Sequence, residues 1–504
     1  MNKIFLNKAI TTNLRGNRIS YNFLKFKNHS KNFSSLEDRN NTEIIDTDVL
    51  IVGGGVAGLT FASALLKNEY FKEKGKIVVI DQPFKRQPEL YSYSPKRLPD
   101  ARVVSLSPAS IRFLKSIGMW DKLDQRLIKY IKAMQVWESK GSSHLYMESK
   151  ENTAIKSVLD FISNKNSFFS TPNINLDYMS ALVEINHLLE GCYKLLDEYN
   201  SNRIEVMNYK LDINDIHIEN SDFYSYLELK KEQKTFRTKL LIASDGANSI
   251  IRNKLNFSTF GYEYNETGLV CTFRGNRASD VAYQRFLHNG IFALLPLYDD
   301  LYSIVCSMPR NLNENLKKLD DKNFLEFVNR ILHDPSEDDL LVTKLDRIIP
   351  SANNFNSPPV MTEILSKRFE FPLQLKYAKD NIYKNTILIG DAAHSIHPMA
   401  GLGMNLGICD SVILANEILC SINLGRRIND KRTLEAFAFK SELNYKSMIS
   451  IIEAIKTSYL PTDIVFTNIR NIVNSISNKS SFLKSMFMTV ASGELAHPKK
   501  YAWE

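Results

Sequence analysis

A glycine-rich turn between two apolar strands is the feature that most constrains the fold of this chain. The run TDVLIV at residues 47–52 predicts a buried strand, and KIVVID at residues 76–81 predicts a second one after an intervening helix. Gly53, Gly55 and Gly58 follow the first strand in the spacing G-x-G-x-x-G. Missing side chains at these positions allow a tight turn and a close approach to a pyrophosphate at the helix N-terminus. The unit therefore predicts a Rossmann-like dinucleotide-binding fold.

An acidic residue at the end of the second strand supports this prediction. Asp81 follows Gly58 by 23 residues, and its carboxylate can accept hydrogen bonds from a ribose. The motif does not by itself distinguish FAD from NAD. A nicotinamide-dependent dehydrogenase that uses only this motif is therefore an alternative.

Two later strand ends carry a glycine beside an aspartate. TKLLIASDGANSIIR places Asp245 and Gly246 after one strand, and ILIGDAAHSIHPMAGLGMNLG places Gly390 and Asp391 after another. Further polar or flexible residues of the latter segment precede or begin a helix: Pro398, Gly401, Gly403 and Asn405. Each segment alone would be an ordinary strand-to-helix loop. Together with the first motif they form a specific combination.

The three motifs resemble the signature of FAD-dependent aromatic hydroxylases of the p-hydroxybenzoate hydroxylase class. The resemblance implies FAD as the cofactor, with Asp391 on its ribityl chain and with Asp245 and Gly246 beside its pyrophosphate. Arg102, in DARVVSLSPAS, falls where this family has an arginine near the flavin phosphates. QRFLHNGIFALLPL, FEFPL and HPMAGLGMNLG are similar to the ubiquinone-biosynthesis hydroxylases, and the likeness covers about residues 46–460. Neither the residues nor the resemblance identifies a catalytic side chain.

This resemblance also implies a reaction and partners. The expected substrates are O2 and a polyprenylated 4-hydroxybenzoate-type phenol, hydroxylated at C5, with the strand Phe292–Leu297 as a wall of the ring pocket. Electrons are expected from a ferredoxin and its reductase, and assembly with other ubiquinone-biosynthesis proteins and peripheral membrane contact are expected too. Alternatives are another ring position, another phenolic substrate, or a flavin-stabilised scaffold subunit.

His394 and His397 form an H-x-x-H pair inside the third motif. Zinc needs further ligands, and flavin binding already accounts for this loop. We therefore expect residues that shape the loop close to the isoalloxazine, and no bound metal.

The positive charge of the chain is concentrated at one end. Seven of the 64 basic residues, and no acidic residue, lie within residues 1–36, and the remaining 57 face 56 acidic residues. This predicts a mitochondrial transit peptide and a location on the matrix side of the inner membrane, with a disordered basic tail as the alternative. A nearly neutral body does not indicate a nucleic-acid partner. No stretch of 18 or more consecutive apolar residues occurs, so any membrane contact is expected to be peripheral.

The predicted fold class is α/β, with a Rossmann-like FAD-binding domain, an inserted mixed or antiparallel β-sheet substrate domain and C-terminal helices. An apolar stripe at Val465, Ile469, Ile472, Val473 and Ile476 predicts a helix packed on the enzyme, or alternatively on a bilayer or partner. The expected divisions are a transit peptide at 1–36, FAD-binding segments at 46–140, 236–262 and 376–430, an insertion with linking elements at 141–235, a substrate domain at 263–375 and a helical region at 431–504. Residues 139–172 are polar and weakly periodic, which predicts an exposed insertion there.

Overall fold

The computed structural model describes residues 43–84, 86–138, 144–149, 177–199, 202–334, 355–397, 402–459, 498 and 501–504. They all belong to one folding unit, Glu43–Glu504. Several sequence predictions lie wholly or partly outside the described residues: the leader at 1–36, most of the polar segment at 139–172, Pro398 and Gly401, and the apolar stripe at 465–476.

Strands and helices are numbered in chain order. The strands are β1 (Glu43–Val52), β2 (Ile77–Asp81), β3 (Val103–Leu106), β4 (Lys129–Ile131), β5 (Ala133–Glu138), β6 (His144–Glu148), β7 (Ser180–Glu184), β8 (Ile204–Asn208), β9 (Ile216–Asn220), β10 (Ser225–Leu229), β11 (Lys234–Ala243), β12 (Thr259–Gly275), β13 (Val281–Leu287), β14 (Gly290–Pro296), β15 (Leu301–Pro309), β16 (Met361–Ile364), β17 (Phe369–Ala378), β18 (Ile382–Tyr383), β19 (Thr386–Leu388) and β20 (His394–Ser395). The helices are α1 (Val56–Leu66), α2 (Glu69–Glu73), α3 (Pro108–Ser116), α4 (Ile185–Leu196), α5 (Ile250–Lys254), α6 (Arg310–Lys318), α7 (Asp321–His333), α8 (Leu402–Asn423) and α9 (Lys431–Tyr459).

A largely parallel sheet carries all three sequence motifs. Its order is β18-β19-β11-β1-β2-β8, in which β19, β11, β1, β2 and β8 run parallel, and the β9–β10 hairpin adds to β11. Val49 and Ile51 pack in the core formed with α1, α4 and α8, whereas Leu50 and Val52 pack towards β9, β10 and α5. Continuous apolar runs at β1 and β2 are therefore required, because both faces of these strands are covered.

The second sheet is almost entirely antiparallel. Its order is β20-β17-β12-β15-β14-β13-β5-β6, with β16 on β12, and β5 pairs parallel with β13. One face packs on α6 and α7, where Leu269 and Ile304 meet Phe324 and Val328. With the parallel sheet and the long helices α8 and α9, these elements confirm the predicted fold class.

A third sheet, β3-β7-β4, has only three strands. Two other strands refine the proposed domain division, because β5 lies in the antiparallel sheet and β8 lies in the parallel sheet. The division into domains stays a proposal.

The prediction of an exposed insertion at residues 139–172 is wrong where the structure describes that segment. His144–Glu148 forms the strand β6, which pairs antiparallel with β5, and His144 and Met147 are buried. The polar composition of the surrounding segment obscured a short strand whose apolar side chains lie against the sheet.

Among the described helices, α8 alone is long and apolar enough to span a membrane. A window of 18 residues within Gly403–Asn423 has a mean hydropathy of 1.4, although no run of 18 apolar residues occurs there. However, 78% of the window is buried inside the protein. Its hydropathy is therefore that of a core helix.

Residues 501–504 pack on the parallel-sheet side of the molecule. The rings of Tyr501 and Trp503 stack 4.7 Å apart, and both make edge contacts with Phe113 of α3. The Ala502 N–H donates to Asn416 Oδ1 of α8 at 2.9 Å. Tyr501 therefore belongs to the folded core, and Ala502 and Trp503 pack against it.

Candidate functional site

The three glycines of the first motif have different surroundings. Gly53 has a φ of +103°, and a Cβ there would lie 2.4 Å from the Ser244 carbonyl oxygen. A Cβ on Gly58 would lie 2.4 Å from the Gly53 carbonyl oxygen, whereas one on Gly55 would meet nothing within 4 Å. Gly53 and Gly58 thus permit close backbone packing, and Gly55 borders open space.

The N-terminus of α1 opens onto that space. Gly55 is the N-cap residue, no side chain caps the helix, and its first turn contains no acidic residue. The first N–H groups of a helix lack intrahelical partners and favour an anion. A partially positive helix end without a side-chain cap, beside a side-chain-free turn, fits the pyrophosphate of a dinucleotide.

Asp81 ends β2 directly beside this turn. A Cβ on Gly54 would lie 2.8 Å from Asp81 Oδ2. Burial raises the pKa of Asp81, while the backbone N–H groups of Gly54 and Gln82 oppose that shift. The carboxylate therefore lies beside the glycine turn, and its contact with a ribose stays a prediction.

The second motif closes against the glycine turn. The Ser244 hydroxyl donates to the Gly53 carbonyl oxygen at 2.6 Å. Asp245 Oδ2 accepts the N–H groups of Ile250 at 2.7 Å and Ile251 at 3.2 Å, so this oxygen caps α5. Gly246, with a φ of +83°, borders open space. The backbone at Gly246 is thus better placed for a ligand than Asp245 Oδ2.

The third motif follows β19 and also lies beside the N-terminus of α1. Gly390 has a φ of +60°, and a Cβ on it would lie 3.4 Å from the Ala57 Cβ of α1. Asp391 is accessible to water, yet burial among protein atoms raises its pKa. A carboxylate that lines a concavity can be accessible to water and still be surrounded by protein atoms. The structure therefore brings the three motifs together around the start of α1.

Asp410 of α8 was missed by the sequence analysis. Its Oδ2 accepts the Gly390 N–H at 2.9 Å and lies 2.7 Å from His394 Nε2, and its Oδ1 accepts the Ser441 hydroxyl at 2.7 Å. The signal was present in the sequence, because an acidic residue within the apolar run LGICDSVILA must find partners in the core.

The two histidines of the third motif contact different carboxylates. His394 faces Asp410, whereas His397 Nε2 lies 3.5 Å from Glu266 Oε2. In the part of the chain that the structure describes, no group of three or more His, Cys, Asp or Glu side chains could hold a metal ion.

The remaining predicted site residues take up different positions. Arg102 is exposed, and its guanidinium donates to Asn186 Oδ1 at 2.9 Å. Asn405 is buried, and its Oδ1 accepts the Ser107 N–H at 2.8 Å, which joins α8 to the start of α3. Gly403 lies in the first turn of α8, while Pro398 and Gly401 lie outside the described residues.

The antiparallel sheet has one face towards the third motif. This open face includes Glu266, which approaches His397, and a row across neighbouring strands formed by Val270, Val305 and Ala293. Phe371 of β17 lies over Gly268 on the same face, since a Cβ on Gly268 would lie 2.6 Å from the Phe371 ring.

The sequence analysis predicted that the whole strand Phe292–Leu297 forms one wall of a ring pocket. This prediction is wrong for Phe292 and Leu294, which lie on the other face of the sheet. Phe292 and Leu294 are buried in the core under α6 and α7, whereas Ile291 and Ala293 point to the open face and are half-buried. Successive side chains of a strand point to opposite faces, and the apolar sequence did not reveal which residues face which side.

Comparisons with known proteins agree with this geometry. A family model described as "FAD binding domain" matches residues 219–427, which include the second and third motifs. The chain is 29% identical to "Ubiquinone biosynthesis monooxygenase COQ6, mitochondrial" of Drosophila melanogaster, over 91% of this chain and 92% of that protein. It is 27% identical to the protein of the same name from Homo sapiens, over 88% and 92% of the two chains. The chain is an FAD-dependent aromatic monooxygenase.

Solved structures show the same fold. The p-nitrophenol 4-monooxygenase PnpA from Pseudomonas putida DLL-E4 has a TM-score of 0.61 at 17% identity. The structural match covers 91% of this monooxygenase and 100% of the PnpA chain. PqsL from Pseudomonas aeruginosa, a probable FAD-dependent monooxygenase, has a TM-score of 0.58 at 17% identity, with coverage of 86% and 100%. The family match and the ubiquinone-biosynthesis relatives contradict the alternative of a nicotinamide-dependent dehydrogenase, and the cofactor of this monooxygenase is FAD.

Proposed function

We propose that this FAD monooxygenase hydroxylates C5 of the ring of a polyprenylated 4-hydroxybenzoate-type phenol in mitochondrial ubiquinone biosynthesis. The observation that carries the proposal is the extent of the similarity to ubiquinone-biosynthesis monooxygenases, which reaches 91% of this chain and 92% of the fly protein. Such coverage includes the antiparallel sheet and its open face as well as the motifs of the parallel sheet.

The three motifs supply the proposed flavin contacts. Bound FAD supplies the redox chemistry that activates oxygen. We assign the pyrophosphate to the α1 N-terminus at Gly55, a ribose to Asp81 and the ribityl chain to Asp391. The complete set of proposed cofactor-binding residues is Gly53, Gly55, Gly58, Asp81, Arg102, Asp245, Gly246, Gly390, Asp391, Pro398, Gly401, Gly403 and Asn405.

The open face is the proposed wall of the ring pocket. Val270, Ala293 and Val305 provide apolar surface across three strands, and Phe371 adds an aromatic ring beside them. Apolar walls exclude water, which would otherwise compete with the phenol for activated oxygen. No side chain of the described face is assigned as a general base.

A matched pair of neighbours on β14 tests this wall. Replacing Ala293 by phenylalanine places a ring on the open face and is expected to abolish hydroxylation while flavin content and the thermal unfolding midpoint stay near those of wild type. Leu294→Ala opens a cavity in the opposite core and is expected to cost about 2–5 kcal/mol of stability. Thermal unfolding and product mass spectrometry measure the two effects. Normal turnover by the Ala293 variant would remove this face from the site.

The wider setting of the reaction also belongs to the proposal. It places the protein at the matrix side of the inner membrane in peripheral contact, after removal of a transit peptide. Electrons come from a ferredoxin and its reductase, and the enzyme assembles with other ubiquinone-biosynthesis proteins. The resemblance to the ubiquinone-biosynthesis hydroxylases supports these statements, and the word "mitochondrial" in the names of the relatives supports the compartment.

Quinone precursors in cells that lack the protein test the proposed reaction. Wild type, Asp391→Ala and the matched control Asp380→Ala, which alters an exposed aspartate after β17, are returned separately. Mass spectrometry is expected to show a prenylated phenol without the C5 oxygen, removed by wild type and by the control but not by Asp391→Ala. Immunoblots confirm equal amounts of each protein.

Other outcomes of this experiment point elsewhere. A precursor that lacks a different ring oxygen would move the reaction to that position, and unchanged quinone would exclude this pathway. If Asp391→Ala restores quinone as well as wild type does, the protein acts as a scaffold or its flavin does not need Asp391.

A further inference from the structure

A buried acid joins the flavin-binding turn to both long helices. Asp410 and His394 each have side chains that are 1% exposed, with 2.7 Å between Asp410 Oδ2 and His394 Nε2. The same oxygen accepts the Gly390 N–H, and the other carboxylate oxygen accepts the Ser441 hydroxyl of α9. One side chain of α8 therefore fixes the backbone immediately before Asp391.

The charges around His394 favour its protonated form. Burial alone would lower its pKa, but Asp410 and Asp391 raise it above the ordinary value. The titratable and charged side chains around it are Asp391 on its own turn, Asp410 on α8, Tyr445 on α9, Lys376 and Tyr377 on β17, and Arg252, which donates to the Ala392 carbonyl oxygen. A histidine whose protonated form is favoured by a buried carboxylate partner is thus part of this turn.

We propose that Asp410 and His394 are positioning residues for FAD: the pair holds the Gly390–Asp391 turn against α1 and keeps the Asp391 carboxylate able to accept hydrogen bonds. The inference rests on the part of the proposed function that places the flavin at Asp391. Asp391 is the group affected, because burial raises its pKa and the neighbouring His394 opposes that shift. A cation beside a carboxylate favours its charged, hydrogen-bond-accepting form.

Asp410→Asn separates the charge from the hydrogen bonds. The amide oxygen can take the place of Oδ2 and accept both the Gly390 and His394 N–H groups, and the amide nitrogen can donate to the Ser441 oxygen. Without the carboxylate, His394 loses its charge partner. Asp391 then becomes protonated at a higher pH than in wild type.

The affinity of the full-length apoprotein for FAD is the measurement. Titrations from about pH 5.5 to about pH 8.5 cover the range in which a histidine ordinarily titrates. Asp410→Asn is expected to weaken binding about tenfold at the acid end, and to move the pH below which FAD is lost upward by about one unit. Thermal unfolding of the apoprotein separates this effect from a loss of folding.

Ser421→Ala provides the matched control. The Thr433 hydroxyl donates to the Ser421 oxygen at 2.9 Å, so this pair also joins α8 to α9 through a buried hydroxyl, but without charge. The control is expected to leave the pH profile of FAD binding unchanged. A profile of Asp410→Asn that matches wild type would overturn the proposal.

Two further variants keep the test decisive. If Asp410→Asn does not fold, the double variant Asp410→Asn with His394→Gln is used instead. It removes both charges and leaves two amides that can form a hydrogen bond with each other. If this double variant binds FAD as wild type does, the proposal is overturned. Asp391→Asn tests the flavin placement separately. If Asp391→Asn binds FAD normally, the proposed contact between Asp391 and FAD is wrong. If Asp391→Asn binds FAD more weakly but Asp410→Asn has the pH profile of wild type, only the positioning role of Asp410 and His394 is contradicted.

Discussion

Replacement of Gly58 by alanine is expected to destabilise the folded protein strongly. The added Cβ would lie 2.4 Å from the Gly53 carbonyl oxygen and 2.5 Å from Ser244 Oγ. Backbone cannot move away from this contact without separating α1 from β1 and β11. We expect a loss of about 3 kcal/mol or more, as for severe overpacking, which is measured as a low soluble yield and a thermal midpoint lower by about 5 °C.

Gly55→Ala is the matched control, three residues earlier in the same motif. No heavy atom lies within 4 Å of a Cβ at this position, and its φ of −71° is ordinary for alanine. We therefore expect near-normal folding with weakened FAD binding, because the methyl group enters the space assigned to the pyrophosphate. Normal FAD affinity of Gly55→Ala would contradict that assignment, and a normal midpoint for Gly58→Ala would contradict the packing argument.

Replacement of Arg97 by methionine is expected to cause the second large effect. The guanidinium donates two hydrogen bonds of 2.6 Å to Glu184 of β7 and one of 2.8 Å to the Tyr298 hydroxyl after β14. The side chains of Arg97 and Glu184 are only 9% and 3% exposed. Without Arg97 a carboxylate remains buried and uncompensated, which costs about 3–5 kcal/mol. Thermal unfolding of the purified variant measures this loss.

An exposed ion pair that also has two hydrogen bonds supplies the control. Arg237 binds Asp46 through two nitrogens, but these side chains are 42% and 64% exposed. Arg237→Met is expected to change stability by less than about 1 kcal/mol, because water solvates the remaining carboxylate. The double variant Arg97→Met with Glu184→Leu should recover much of the lost stability. Equal effects of the two arginine variants would show that burial of Glu184 is not the cause.

The sequence predicted the parts of the site that depend on short-range signals. Gly53, Gly55 and Gly58 follow a strand, and Asp81 ends the next one, so parallel pairing alone brings them together. The G-D segment at Gly390 and Asp391 follows the same rule. Each prediction needed only the type of the local element, because the carboxyl ends of parallel strands meet at one edge of a sheet.

The rest depended on contacts between distant residues. The open face of β14 could not be recognised without the register to β15, which decides the orientation of Phe292 and Ala293. The helix-capping role of Asp245 Oδ2 likewise required the position of α5. The partnership of Asp410 with His394 depends on how α8 packs, and no local pattern specifies that packing.

The docking of residues 501–504 gives the protein a built-in set of optical probes. The sequence has three tryptophans: Trp120 lies in the core of the parallel sheet, Trp137 lies in that of the antiparallel sheet, and Trp503 stacks on Tyr501 at the edge of the parallel-sheet core. Their emission therefore originates from two cores and, for Trp503, from the docked residues at the edge of one of them. Variants that retain one tryptophan at a time would resolve the order in which the two sheets and the docked residues separate, without any attached dye.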